Sequence, residues 1–204
     1  SNLPSNNSYS IISDGYGGLW VASLEYLLHF DIDKRNFTIV DVDEDGHKLQ
    51  QYNRLLFCDS KKRIWAGGEM GISVFNQVGT SLLPNTDFQI ASVLKQAFVN
   101  CFYETSSGYL WIGTRNGLFA LKESDKQFLQ YTTENGLPSN VIYGILEDAY
   151  GRLWISTNQG LSCLNPESGK FRNFTIMDGL QGNQFNAGAY CRKDNGYMLF
   201  GGVN

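Results

Sequence analysis

The stretch "NGLPSNVIYGILEDAYGRLWISTNQGLSCLN", residues 135–165, is the most informative about the fold, because its sequence pattern recurs along the chain. Its phrase "YGRLWIST" has counterparts in "YGGLWVAS", "KKRIWAGG" and "SGYLWIGT", and the tryptophans follow one another at spacings of 45, 46 and 43 residues. These tryptophans are Trp20, Trp65, Trp111 and Trp154. Another 45 residues on, "NGYMLFGG" puts Leu199 in the tryptophan position. The phrase "LPSN", at 3–6 and 137–140, keeps the same distance of 14 residues from its Asn to the tryptophan. The tryptophan phrase and the "LPSN" phrase thus recur at a constant distance from each other, which indicates an internal repeat.

One unit of the repeat predicts four strands separated by tight turns. The β-branched and apolar runs fall at 141–148, 152–157, 161–165 and 170–176, and "AYG", "NQG" and "PESG" lie between them. Such a unit is a four-stranded antiparallel meander of about 45 residues. A period in this range is typical of a β-propeller blade.

The apolar pattern favours blades over a sandwich. A sheet with one wet face alternates apolar and polar residues. The first strands ("SYSIIS", "RLLFC", "NCFYE", "IYGIL") are instead nearly apolar throughout, as expected of inner strands covered on both faces. The fourth strands ("NFTIV", "QFLQYTT", "KFRNFTI") mix in polar residues and are expected to face solvent. Each tryptophan is then expected to fill the space between adjacent blades.

The predicted fold class is therefore all-β, an incomplete propeller of about four and a half blades. The predicted blades are 6–45, 52–96, 98–139 and 141–182, with a half blade at 183–204. Propellers close on themselves, so we expect this chain to be a fragment of a larger propeller. Pairing of the open sheet edge in a homodimer is one way to cover it.

Composition excludes some classes of function. A formal charge of −4 and a pI near 5.1 argue against a nucleic-acid contact. No apolar run approaches the length of a membrane span, so no membrane contact is expected of this region. The cysteines lack the CxxC spacing of a zinc site and are expected to be buried free thiols; they are Cys58, Cys101, Cys163 and Cys191.

Catalytic candidates are few. His29 lies in the apolar run "LLHF", where packing is expected, and His47 lies in a polar loop. No nucleophile elbow, HExxH or Walker-type loop is present. Turn capping accounts for Glu147 and Asp148 at a strand end. We therefore predict no enzyme activity and no cofactor.

The segment "DVDEDG" resembles the first half of a calcium loop, with Asp41, Asp43 and Asp45 as candidate ligands. An EF-hand loop supplies a bidentate Glu at its twelfth position, which here is Tyr52. A solvated acidic loop between blades is the preferred interpretation, so no metal site is predicted.

Ligands of propellers bind where the loops between blades and the turns from second to third strands crowd one end. The candidates in the turns are Glu69, Arg115, Asn116, Asn158 and Gln159. Those in the loops that lead into the blades are Asn140, Asn183 and Gln184. Amides and Arg suit sugar hydroxyls or a uronate carboxylate, although Asn and Gly also satisfy turn geometry.

The repeat resembles that of the two-component regulator propellers, the periplasmic sensor region of bacterial hybrid two-component systems. The residues that carry the resemblance are the "GLPSN" lead-in (136–140), the acidic strand end (147–148), "GRLWIST" (151–157) and "GL" (160–161). A second good copy is "GYLWIGTRNGLFAL" (108–121). The first two blades depart from the pattern.

The resemblance implies a sensor of oligosaccharides from polysaccharide breakdown, in the periplasmic part of a sensor histidine kinase. It also implies that the parent chain contains the remaining propeller blades and a β-sandwich, with this piece at the C-terminal end of the second propeller. Two other hypotheses stay open. One is a lyase of the streptogramin-lyase kind, which would need a His base such as His47 beside a metal. The other is a scaffold that binds another protein.

Overall fold

The computed structural model describes residues 7–23, 26–40, 53–85, 94, 97–123 and 127–203. The chain divides into two compact units, Ser1–Val99 and Asn100–Asn204.

The first unit contains two four-stranded antiparallel sheets whose strands pair in sequence order. The strands of the first sheet are β1 (Ser8–Ser13), β2 (Gly18–Ser23), β3 (Leu27–Asp31) and β4 (Asn36–Val40). Those of the second are β5 (Asn53–Cys58), β6 (Arg63–Gly68), β7 (Gly71–Val78) and β8 (Ser81–Pro84). The inner strands β1 and β5 contact each other, and the Leu56 amide donates to Ser10 Oγ at 3.0 Å.

The second unit contains two further four-stranded sheets and a two-stranded one. Their strands are β9 (Val99–Glu104), β10 (Leu110–Thr114), β11 (Gly117–Lys122) and β12 (Gln127–Tyr131), then β13 (Ile142–Glu147), β14 (Leu153–Thr157), β15 (Gly160–Asn165) and β16 (Lys170–Phe174), and last β17 (Phe185–Arg192) and β18 (Met198–Gly202). Short 3₁₀ turns at Thr133–Asn135 and Ile176–Asp178 precede the loops that lead into β13 and β17. The predicted all-β class and four-stranded antiparallel unit are confirmed.

The fourth strand of the repeat is shorter than predicted. It ends at Phe174 rather than 176, because Thr175 caps a 3₁₀ turn. Thr175 Oγ1 accepts from the Met177 amide at 3.2 Å, while Asp178 Oδ2 accepts from the Thr175 amide at 2.9 Å. This reciprocal pair is a capping box, which the sequence pattern T-x-x-D could have revealed.

Three of the third strands, β7, β11 and β15, begin at a glycine because the turn before them needs a positive φ. Gly117 and Gly160 have φ of 121° and 113°. A Cβ on Gly117 would also lie 2.6 Å from the carbonyl oxygen of Tyr131 on the fourth strand. A side chain here is excluded both by conformation and by space.

Tryptophans fill the space between neighbouring sheets. Trp20 is fully buried in a cluster with Leu56, Ile64 and Phe75 of the adjacent sheet. Trp111 is buried in the same way, and its cluster includes Ile142 of the next sheet. The expected packing role is confirmed for these two positions.

The same position is less covered near the end of the second unit. Trp154 is half-buried and Leu199 is 46% exposed. The sheet next to Trp154 has only two strands, β17 and β18, in the part of the chain that is described. A sheet of that width covers its neighbour incompletely.

Two expectations about burial are wrong in part. The run "SYSIIS" is not covered on both faces, since Tyr9 is 45% and Ile11 58% exposed. One face of β1 packs against β5, and alternate residues face away from it. Cys101 and Cys163 are buried free thiols, but Cys58 is half-buried and Cys191 is exposed on the two-stranded sheet. The solvent-facing character of the fourth strands is confirmed by β4 and β16, which are mostly exposed.

Candidate functional site

A carboxylate closes the turn between the first and second strands. In the second sheet, Asp59 Oδ1 accepts from the amides of Lys61 (3.0 Å) and Arg63 (2.8 Å). Asp59 Oδ2 accepts from Arg63 Nε at 2.6 Å and from the indole Nε1 of Trp65 at 2.8 Å. One buried side chain therefore fixes both the turn and the tryptophan, and its bonds serve the fold.

The fourth sheet repeats this arrangement with Asp148, which accepts from Arg152 Nε at 2.7 Å and from Trp154 Nε1 at 3.0 Å. Burial acts to raise the pKa of Asp148, but the hydrogen bonds from Trp154, Arg152 and backbone amides outweigh it and lower the pKa. Turn capping is thus the role of Asp148. The neighbouring Glu147 differs from that expectation, because its carboxylate accepts from the Ser106 amide (3.2 Å) and hydroxyl (3.3 Å) of the adjacent sheet.

In the first sheet a histidine replaces the tryptophan as the partner of the carboxylate. His29 Nε2 lies 2.7 Å from Asp14 Oδ2, and both side chains are buried. The His29 ring packs on Trp20 with 4.6 Å between centroids, and the Trp20 indole Nε1 has no hydrogen-bond partner among the described residues. Burial acts to raise the pKa of Asp14, but hydrogen bonds from His29 and from the amides of Tyr16 and Gly18 lower it. His29 is therefore a paired core residue.

In the second unit, the opposite end of the sheets carries the predicted ligand-binding residues of that unit. The Gly117 amide, in the turn after β10, donates to the carbonyl oxygen of Asn140 at 2.8 Å. The Gly160 amide, in the turn after β14, donates to the carbonyl oxygen of Asn183 at 2.6 Å. Each turn of the second unit is thus bonded to the loop that leads into the next sheet. This brings Arg115 and Asn116 beside Asn140, and brings Asn158 and Gln159 beside Asn183 and Gln184.

Asn140 and Asn183 use their side chains to shape these loops. Asn140 Oδ1 accepts from the Thr133 amide and Asn183 Oδ1 from the Ile176 amide, both at 2.9 Å. The carbonyl oxygen of the exposed Gln184 accepts from the Val203 amide at 2.9 Å. A ligand-binding role for these residues stays a prediction.

Most of the turn residues of the second unit are also exposed. Arg115, Asn116 and Gln159 are exposed, and the Asn116 amide donates to Thr114 Oγ1 at 2.9 Å. Asn158 is half-buried, and its Oδ1 is a buried acceptor with no partner in the described part of the chain. A buried acceptor without a partner is uncommon in folded proteins and indicates a place for a ligand or water hydrogen.

Sequence reasoning missed a second position at this end. The first strands of three sheets each carry a β-bulge, and the residue at the bulge is Tyr9, Arg54 or Tyr143. Asn100 holds the same place in the repeat, since each of the four residues precedes its tryptophan by 11 residues. A bulge leaves one residue out of the ladder and re-aims its side chain. The constant distance to the tryptophan was the signal that could have found them.

In the first unit, a bulge residue meets a turn residue. Arg54 Nη2 lies 2.7 Å from Glu69 Oε1, and the two side chains are 38% and 40% exposed. The Arg54 guanidinium carbon lies 5.2 Å from the ring centroid of Tyr9, the bulge residue of the adjacent sheet. Of the predicted ligand-binding residues, Glu69 is the one that the first unit contributes.

Two predictions fall on residues that the structure does not describe. These are the calcium-loop candidates Asp41, Asp43 and Asp45, and the histidine His47. Within the described ranges, no group of three His, Cys, Asp or Glu side chains is placed to hold a metal ion. Nor does any helical segment there have the length and apolar character to cross a membrane.

Three segments of the chain match the family model of the two-component regulator propeller, at residues 2–25, 94–116 and 136–159. These three segments resemble the two-component regulator propeller repeat. Each matched segment contains a first strand and the tryptophan of the second strand, and the first and third segments also contain the "LPSN" phrase. No curated protein matches the chain significantly.

Solved structures share the fold over nearly the whole chain. The extracellular domain of the hybrid two-component system BT3049 from B. thetaiotaomicron is 26% identical, with a TM-score of 0.78, and the match covers 98% of this chain. That of BT4673 from the same organism is 18% identical, with a TM-score of 0.76 and 99% coverage. Virginiamycin B lyase from Staphylococcus aureus is 15% identical, with a TM-score of 0.66 and 97% coverage. The predicted propeller fold and the family resemblance are confirmed.

The fraction of each solved structure that this chain covers differs. This chain covers 26% of the BT3049 structure, 27% of the BT4673 structure and 64% of the lyase structure. The chain thus spans about a quarter of the length of the two-component system domains that it matches. The likeness to BT4673 and to the lyase concerns the fold alone.

Proposed function

We propose that this chain is a ligand-sensing, extracytoplasmic propeller module of a hybrid two-component signalling protein. The observation that carries the proposal is the three family segments, together with 26% identity to the extracellular domain of BT3049 over 98% of the chain. The ligand we propose is an oligosaccharide released from a polysaccharide. Binding is signalled to a histidine kinase in the same parent protein.

In each unit, the end of the sheets that carries the turns and lead-in loops is the proposed binding face. The second unit presents a guanidinium at Arg115 and amides at Asn116 and Gln159 there, and the first unit presents a carboxylate at Glu69, all exposed. Sugar hydroxyls donate and accept hydrogen bonds, so a mixture of donors and acceptors suits them better than a face of one kind. The buried Asn158 Oδ1 adds an acceptor that has no donor among the described residues.

We propose that this region binds without catalysing a reaction. The buried carboxylates of Asp14, Asp59 and Glu147 are held by hydrogen bonds within the fold, and His29 is paired with Asp14. General acid–base catalysis needs such a group within reach of a substrate. The likeness to virginiamycin B lyase does not carry its chemistry to this chain at 15% identity.

The proposal also includes a cellular location and binding partners. The extracellular location of the BT3049 and BT4673 domains supports a periplasmic location for this propeller. The proposed partners are further propeller blades, a β-sandwich of the parent chain and, through sheet edges, a second copy of the protein. Contacts with nucleic acid or with the membrane are not part of the proposed role of this region, since its net charge is −4.

Isothermal titration calorimetry tests the proposal. The protein is titrated with tetrasaccharides from neutral and from uronic-acid polysaccharides, and saturable binding to at least one is expected. In parallel, streptogramin B is incubated with the protein and added divalent metal, and no turnover is expected. Absence of binding to every glycan contradicts the sensor proposal. Turnover of streptogramin B favours the lyase, and capture of a protein partner without any glycan binding favours the scaffold.

A further inference from the structure

The side chains of Tyr9, Arg54 and Glu69 form one connected cluster on the first unit, here named the bulge cluster. Tyr9 and Arg54 occupy the β-bulges of neighbouring inner strands, and Glu69 occupies the turn after β6. The register explains their meeting. The Arg54 bulge lies opposite Gly67 and Gly68, the last residues before the turn, so the arginine reaches Glu69 directly.

The cluster holds its groups in place yet leaves them accessible. Arg54 is fixed on one side by its 2.7 Å ion pair and on the other by the ring of Tyr9 at 5.2 Å. All three side chains remain partly exposed, at 45% for Tyr9, 38% for Arg54 and 40% for Glu69. An exposed ion pair contributes little to stability by itself, so stability alone does not account for this order.

Hydrogen-bonding capacity is left over. Within the described part of the chain, Glu69 Oε2 and the Tyr9 hydroxyl make no hydrogen bond, and Arg54 Nε is buried without a partner. The cluster therefore offers a carboxylate acceptor and a phenol that both donates and accepts, beside a partly exposed guanidinium. The exposed part of the tyrosine ring adds apolar surface for the C–H face of a sugar.

We infer that the bulge cluster binds a neutral saccharide through a pair of adjacent hydroxyls. One hydroxyl donates to Glu69 Oε2, and its neighbour accepts from Arg54 or Tyr9. The charges of Arg54 and Glu69 cancel, so the cluster attracts no net charge, and an incoming carboxylate would compete with Glu69 for the guanidinium. A neutral polyol meets both partners without disrupting their pair. This inference rests on the proposed function and specifies its ligand and its residues.

Calorimetry with matched variants tests the inference. The wild-type chain is titrated with neutral tetrasaccharides of glucose, mannose, galactose and fructose, and with a tetramer of galacturonate. Glu69→Gln keeps the shape but removes the carboxylate charge, and Tyr9→Ala removes the ring. Each is expected to weaken binding of the neutral ligand about tenfold, because Glu69→Gln replaces a charged acceptor by a neutral one and removes the ion pair with Arg54, and Tyr9→Ala removes the phenol. Glu134→Gln, an exposed acid on a 3₁₀ turn, is the control and is expected to change affinity less than about twofold.

The outcomes separate the inference from the proposed function. If a neutral glycan binds and neither Glu69→Gln nor Tyr9→Ala weakens it, the bulge cluster is not the site, while the sensor function stands. If only galacturonate binds, the neutral-ligand inference is overturned and the sensor function again stands. If nothing in either panel binds, both fail. Thermal unfolding of each variant checks that the fold is intact.

Discussion

Replacing a buried tryptophan by phenylalanine is expected to cost more in one sheet of the first unit than in the other. Trp65 and Trp20 occupy the same place in their repeats, and both are fully buried. The Trp65 indole donates to Asp59 Oδ2 at 2.8 Å, whereas the Trp20 indole has no partner in the described part of the chain. The two substitutions remove similar apolar area and disturb one ring contact each, Trp65 with Arg63 and Trp20 with His29, so the main difference between them is one hydrogen bond.

The expected difference follows from the charge of the acceptor. A hydrogen bond to a charged group stabilises a fold by about 1.5–3 kcal/mol. Trp65→Phe loses this bond and leaves a buried carboxylate oxygen with one donor fewer. Trp20→Phe loses no hydrogen bond and removes a buried donor that has no acceptor. We therefore expect Trp65→Phe to lower the free energy of unfolding by about 2 kcal/mol more than Trp20→Phe does.

Urea unfolding followed by circular dichroism measures both variants, and because both lie in one unit the comparison is direct. A double-mutant cycle with Asp59→Asn isolates the pair, and a coupling energy of about 1–2 kcal/mol is expected between Asp59 and Trp65. Equal costs for the two tryptophans, within about 0.5 kcal/mol, would refute the view that the carboxylate anchors the indole.

Further predictions concern the second unit. Gly144→Ala is expected to lower its free energy of unfolding by about 2 kcal/mol, because the new Cβ would lie 2.7 Å from Cγ of Tyr190. In a Tyr190→Ala background this cost should nearly vanish, and an equal cost there would contradict the packing argument. Iodoacetamide is expected to modify the exposed Cys191 first, since Cys101 is buried and its pKa is raised to about 12 by burial; peptide mass mapping checks the order, and fast labelling of Cys101 would show it wrong. Because the pKa of Asp148 is lowered in the fold, its contribution is present above the unfolded pKa of about 3.9 and is lost as pH falls below it. The stability gap between wild type and Asp148→Asn should therefore shrink from pH 7 to pH 3, and a gap independent of pH counts against the assignment.

The fold was readable from the sequence because the repeat forces the same local choices each time. The tryptophan strand recurs in four repeats and the glycine that begins the third strand in three, at fixed spacing, and each has a physical reason in the structure. Trp111 packs against the next sheet, and Gly117 needs a positive φ. Agreement between turn chemistry and apolar pattern made the four-stranded unit predictable.

The hydrogen-bond partners of the turn carboxylates could not be predicted from the sequence. Asp14 and Asp59 hold the same place in the repeat, yet one binds His29 and the other binds Trp65. That difference arises from a residue 15 positions away on a neighbouring strand, which a local pattern does not reveal. The bulges escaped notice for a similar reason, since an extra residue such as Arg54 is defined only by the strand that it pairs with.

Comparison among the repeats within one chain separates stability from recognition. At the end of the sheets where the first strand turns into the second, Asp59 and Asp148 make the same bonds to a tryptophan and an arginine. At the other end, equivalent turn positions hold Glu69, Arg115 and Asn158, which share neither charge nor shape. These three turns share one backbone, each with a glycine of positive φ at the start of the third strand, so the backbone does not dictate the differences. Variation that the fold does not require is expected where a ligand is recognised, which favours this end of the sheets, in each unit, as a binding face.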